Sequence, residues 1–174
     1  MNTVLRELKV DDAPLMLEWM HDEEVQKGFQ KKMLDMTIDN ATSFCESSKI
    51  PEELTEGVSV HFAIADSNDE YQGTISLKDI SLNNKSAEYA ISLRRASWGK
   101  GLAKAASKEL LDKAFNEYGL HRVYLTVLAD NERAIHLYEK CGFKKEGQLR
   151  KHIYKDGKYV DWCLYGILAE EFEM

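Results

Sequence analysis

Two strand-like runs near the middle of the chain, Ala87–Leu93 and His121–Leu128, flank a single amphipathic helix. Leu102, Ala106, Leu110, Ala114 and Phe115 recur at helical spacing and give that helix one apolar face. Gly119 stands where a helix of this length should stop. The three pieces form a β-α-β unit, and the rest of the chain has to be arranged around it. The entry to the helix is unusual. It reads SWGKGLAKAASKELL from Ser97 to Leu111, so Gly99-Lys100-Gly101 occupies the place where good helix formers are expected. A helix start presents unpaired N–H groups and a partial positive charge. Glycine there leaves the backbone bare toward a ligand. Following a strand, this is a place for phosphate groups.

Charge supports that reading. Five basic residues and no acid lie between Arg94 and Lys108: Arg94, Arg95, Lys100, Lys104 and Lys108. Six acids and no Lys or Arg lie between Asp11 and Glu24, a run that suits a cationic partner or a solvated helix face. The net charge of −7 argues against nucleic acid as a partner. The pattern GxxxxGK[ST] of a Walker loop is absent, and Lys104 stands where a dinucleotide fingerprint needs Gly or Ala.

The remaining chain reads as one α+β domain over residues 1–174, with no linker and no repeat. Val4–Lys9 is a first strand. Asp11 or Asp12 caps a helix with Pro14 in its first turn and a stripe of Leu15, Met16, Trp19 and Met20. Thr37 caps a second short helix, and Ile50–Gly57 is a loop. Val60–Ala65, Tyr71–Ile80 and Ala87–Leu93 form an antiparallel meander. Asn131 caps a helix that Gly142 ends. Lys144–Ile153 and Lys158–Leu168 flank the turn signal Lys155-Asp156-Gly157-Lys158. The three cysteines, Cys45, Cys141 and Cys163, show no metal-ligand spacing, so no metal is expected and the thiols read as reduced, in a cytoplasmic setting. No apolar run is long enough to cross a bilayer, and no membrane partner is expected.

Two stretches carry a family resemblance. Trp98-Gly99-Lys100-Gly101-Leu102-Ala103 resembles the Gln/Arg-x-x-Gly-x-Gly/Ala motif of the GNAT acetyltransferase superfamily, with Trp98 in place of the first Gln or Arg. ADNERAIHLYEKCGF, Ala129 to Phe143, is similar to a second motif of that family through Asn131, Ala134, Leu137, Tyr138, Gly142 and Phe143. Tyr154–Leu168 and Leu17–Val25 are similar to the last hairpin and first helix of its branch of ribosomal-protein and spermidine acetyltransferases. The resemblance implies a mixed, mostly antiparallel sheet of six or seven strands flanked by about four helices, with strands 4 and 5 splayed around the cofactor. It implies acetyl transfer from acetyl-coenzyme A to a primary amine: a protein N-terminus, a polyamine or an amino sugar. Two copies of such domains often pair.

That chemistry assigns expected roles. The amides of Gly99, Lys100, Gly101, Leu102 and Ala103 would hold the diphosphate, with Arg94 and Trp98 beside them. Free N–H groups at Ile91 and Leu93 would meet the arm that carries the thioester. Asn131 would cap its helix and contact the cofactor. Glu88 is the expected base for the acceptor ammonium, directly or through water, since such an amine has a pKa of about 10. Tyr138, two turns from Asn131 on one helix face, would donate a proton to the leaving thiolate. Trp19, His21 and Glu23 from the first helix, and Tyr154, Asp161 and Trp162 from the last hairpin, could line the amine's site. The rival expectation is a module that binds acyl-coenzyme A without turnover; a Tyr138→Phe variant separates the two.

Overall fold

The computed structural model describes residues 4–173. One seven-stranded sheet runs through it in the order β1-β2-β3-β4-β5-β7-β6. The strands are β1 (Val4–Arg6), β2 (Val60–Ala65), β3 (Tyr71–Ser81), β4 (Ser86–Leu93), β5 (Arg122–Leu128), β6 (Lys144–Lys155) and β7 (Lys158–Leu168). The helices among the described residues are α1 (Ala13–Met20), α2 (Glu23–Gln26), α3 (Ile38–Ser47), α4 (Leu102–Asp112) and α5 (Glu132–Lys140). The expected meander is present, with strand ends moved by a residue or so. The first strand stops at Arg6 rather than Lys9. Asp12 does precede α1 but does not cap it through its side chain. Its carboxylate is taken instead by Arg6, in two bonds of 2.8 and 2.9 Å, and by the N–H of Lys9. Thr37 caps α3 as expected, accepting from Asn40 N–H at 3.2 Å.

Every neighbouring pair of strands is antiparallel except β4 and β5, which are parallel because α4 crosses between them. That parallel pairing lasts for only three residues: Ser86 with Arg122, Ala87 with Val123, and Glu88 with Tyr124. Beyond them β4 stays paired to β3 and β5 to β7, so the sheet divides into two halves that part like a V. Side chains alternate across a strand. Ala87, Tyr89, Val123, Leu125, Val127, Cys163, Tyr165 and Ile167 therefore share the core face on which α4 and α5 pack. Leu110 and Leu111 of α4 are fully buried there; each such side chain contributes about 1.5–3 kcal/mol of burial. A second, smaller core lies under α1, α2 and α3, on the other face, around Met16, Trp19, Val25 and Cys45. The α4 helix ends in a π turn over Lys113–Glu117, and Gly119, at φ 64°, closes it. No helix among the described residues is long and apolar enough to cross a membrane.

Candidate active site

A cleft of about 620 Å³ opens where β4 and β5 part, and it reaches from the α4–α5 face of the sheet to the α1–α2 face. At the α4 end, Gly101 occupies the N-cap position at φ 76° and has no side chain to cap the helix. Gly99 has φ 73°. A Cβ at either position would meet no protein atom within 4 Å. Left-handed backbone, not crowding by the protein, requires glycine here. None of the amides from Gly99 to Lys104 donates to another described residue; the first helical bond is Ala105 N–H to Gly101 C=O, at 3.1 Å. Six consecutive amides beside a helix start form an anion cradle.

The parted strands supply further free donors. Arg94 N–H donates to Gln72 C=O on β3. Alternation then turns the N–H groups of Tyr89, Ile91 and Leu93 the other way: that of Tyr89 serves the last pairing with β5, Glu88 with Tyr124, and those of Ile91 and Leu93 face into the split, where β5 no longer pairs. On the α5 wall, Asn131 accepts from Ala134 N–H at 3.3 Å and lines the cleft along with Ala134 and Tyr138. The Tyr138 ring is buried and meets Tyr89 and Phe143 edge-on. Its hydroxyl makes no hydrogen bond to the described residues and opens on the cleft. Burial pushes the Tyr138 pKa well above its ordinary value, against a smaller downward pull from the Arg133 charge. The phenol is therefore a neutral donor at physiological pH.

The opposite face of the split is built differently. Glu88 sits at the last paired position before the strands part, with Lys78 Nζ at 3.9 Å. Alternation places it on the same face as Thr126 and Trp162, and the segment Val25–Gln30 after α2 completes the lining. Trp162 stacks on His152 at 5.3 Å.

Of the expected site residues, the cleft gathers Glu88, Ile91, Leu93, Trp98, Gly99, Gly101, Leu102, Ala103, Asn131, Tyr138 and Trp162. Lys100 is exposed between its glycines, and its side chain is outside the cleft. Arg94 is also outside: its guanidinium is held by Glu18, Glu70 and the Tyr71 carbonyl, which ties β4 to α1. Trp19 belongs to the second core, donating to Tyr71 Oη at 2.8 Å. His21 and Glu23 line a separate shallow acidic depression with Asp22 and Arg95. Tyr154 is exposed and packs on Tyr159. Asp161 stabilises a bulge in β6 by accepting from Lys151 N–H and Gln148 Nε2.

Sequence reasoning did not pick out Tyr89, Thr126, Phe29 or Arg133. The Tyr89 hydroxyl bonds to Ser107 Oγ at 2.7 Å, tying β4 to α4. Arg133 lies over the Trp98 ring, 3.2 Å from its centroid, and so bridges the α5 wall to the cradle. Its position two residues after Asn131 is the signal the sequence holds; its partner Trp98 is visible only in the fold.

The chain is similar to several known proteins. Residues 2–144 match the domain family described as Acetyltransferase (GNAT) domain. Spermidine N(1)-acetyltransferase of Vibrio cholerae is 36% identical over 111 residues, an alignment that spans 64% of each chain. The enzyme of the same name from Escherichia coli strain K12 is 32% identical over 126 residues, 71% of this chain and 68% of that one. The crystal structure of spermidine N-acetyltransferase from Vibrio cholerae in complex with CoA and spermine superposes with a TM-score of 0.84 at 25% identity, covering 97% of this chain and 96% of that one.

Proposed function

The chain belongs to the GNAT acetyltransferase family, and from that membership we propose that it transfers an acetyl group from acetyl-coenzyme A to a primary amine, with a polyamine as the favoured acceptor class. The observation that carries this reading is the cradle of free amides at Gly99–Lys104 leading straight into a split sheet where the Tyr138 hydroxyl is free to donate. The residues fit coenzyme A: an anion cradle for a diphosphate, unpaired strand amides for an amide-bearing arm, and an uncharged donor at the inner end. When bound, acetyl-coenzyme A supplies an acetyl thioester. The Ile91 and Leu93 amides polarise its carbonyl, Glu88 removes a proton from the incoming ammonium directly or through water, and Tyr138 donates to the departing sulfur. The thioester side lies toward α4 and α5; the amine enters from the α1–α2 side, where Glu88, Thr126 and Trp162 face.

The names of the relatives and the net charge of −7 support a cationic, polyamine-like acceptor. The whole chain, 1–174, acts as one catalytic domain in this reading. The test is a panel of amines (spermidine, spermine, amino sugars, peptide N-termini) incubated with acetyl-coenzyme A, with free thiol as the readout. Polyamine-dependent thiol release is expected. Tight coenzyme A binding with no release for any amine would instead mark a binding module, and calorimetry showing ATP bound in preference to coenzyme A would end the reading.

A further inference from the structure

The wall that closes the cleft on the α1–α2 side has little structure of its own. After α2 ends at Gln26, residues 27–30 form an irregular turn, yet Gly28, Phe29 and Gln30 line the cleft. At the end of α2 the Val25 and Gln26 carbonyls accept from the N–H groups of Gly28 and Phe29, at 3.3 and 3.1 Å. A side chain more than a hundred residues away reaches the carbonyls of the turn that follows. Lys155, the last residue of β6, donates from Nζ to the carbonyls of Gln26 at 3.1 Å, of Lys27 at 2.6 Å, and of Phe29. All three N–H groups of its ammonium are spent on this one turn. Its neighbour Asp156 adds an ion pair to Lys32 at 3.0 Å. Lys155 itself does not line the cleft.

The same turn is fixed elsewhere by contacts of other kinds. Phe29 stacks on Trp19 at 5.7 Å. Gly28 lies so close to Asn131 that a Cβ would stand 2.7 Å from Nδ2. Fully buried Gln26 bonds to Trp19 C=O and Met33 N–H. These contacts tie the turn to α1 and α5. Lys155 is what ties it to the β6–β7 hairpin.

We propose that Lys155 is a positioning residue for the acceptor: its ammonium acts as a detached C-cap for α2 and holds the 26–30 turn against the cleft, setting the width of the amine's entry without touching the amine. The inference rests on the proposed acetyl transfer in assigning that entry to the amine. Holding the turn in place acts on acceptor binding and leaves the cradle on the other face alone, so the kinetic signature is a split between the two substrates.

The test uses the full chain with Lys155→Met and with Lys155→Cys alkylated two ways. For Lys155→Met, the KM for spermidine rises about fivefold or more, while the KM for acetyl-coenzyme A stays within about twofold. Alkylating Lys155→Cys with 2-bromoethylamine rebuilds an ammonium of nearly native length and restores the spermidine KM; iodoacetamide, which leaves a neutral amide, does not. The wild type treated with each reagent is the control, since Cys45, Cys141 and Cys163 are buried. Hydrogen exchange needs no turnover: amides of residues 27–30 exchange about tenfold faster in Lys155→Met, with α4 and α5 unchanged. Unaltered exchange at 27–30 overturns the proposal whatever the enzyme's activity. So does a matching rise in both KM values, or rescue by the neutral adduct. A wild type inert toward every amine would instead sink the acetyl-transfer reading, leaving the exchange result to decide the role of Lys155.

Discussion

On the α4–α5 side of the split, the groups that face the cleft come from two short stretches, Ser97–Lys104 and Asn131–Lys140, set over Tyr89, Ile91 and Leu93 of β4 and Val127 of β5. On the α1–α2 side they come from residues 25–30, from Lys78 and Glu88, and from Thr126 and Trp162, on five separate elements or turns. The first side is organised by local rules. Positive φ at Gly99 and Gly101 and an uncapped helix start produce the cradle, and helical spacing aligns Asn131 with Tyr138. The second side is organised by distant contacts: Lys155 on the 26–30 turn, Arg94 on Glu18 and Glu70, Trp19 on Tyr71.

Substitutions on each side should therefore separate cleanly. The largest effect is expected for Glu88→Gln, on the acceptor side: kcat falls about 10²-fold at neutral pH with the KM for acetyl-coenzyme A unchanged, the scale of a lost general base. Steady-state kinetics in both substrates checks this, and a fall under about threefold would remove Glu88 from the chemistry. Tyr138→Phe follows, lowering kcat roughly tenfold or more by loss of the donor to sulfur. Because burial raises the Tyr138 pKa, the active, protonated form persists as pH rises, so wild-type kcat shows no falling limb from tyrosine ionisation below about pH 10. A pH–rate profile that declines from pH 8 and loses that decline in Tyr138→Phe would contradict this.

Gly101→Ala tests the cradle. The left-handed conformation costs a residue with a Cβ about 1 kcal/mol, and that Cβ points into open space over the amides. The KM for acetyl-coenzyme A is expected to rise about five- to tenfold, with the spermidine KM little changed, in fluorescence titration and kinetics. The smallest effect on activity is expected for Arg94→Ala. Its pairs with Glu18 and Glu70 are structural, so denaturant melts should show a loss of about 1–2 kcal/mol while the KM for acetyl-coenzyme A moves less than twofold. A tenfold rise in that KM would return Arg94 to the cofactor site.

Much of the fold was legible because its signals are short-range. Gly-x-Gly before an apolar-periodic helix, Thr37 and Asn131 at helix caps, and Asp156-Gly157 at a hairpin each fix a local backbone shape that tertiary packing has no reason to override. Some of the expected residues that lie outside the cleft share one feature. Arg94, Trp19 and Asp161 have side chains suited to binding a ligand, and only the folded chain shows that each is already occupied by a distant or bulging part of the protein. Arg133 and Tyr89 went unseen for the converse reason: their partners, Trp98 and Ser107, lie on other elements.

The sequence by itself determined the β-α-β unit, the bare helix start and the alignment of Asn131 with Tyr138, because 3.6-residue periodicity and left-handed glycines act within a few residues. Tertiary structure alone decided how far β4 and β5 stay paired, which face Glu88 shares with Trp162, and what holds the 26–30 turn in place. Those are contacts between residues far apart in the chain, and they form only when the whole sheet closes around its two cores.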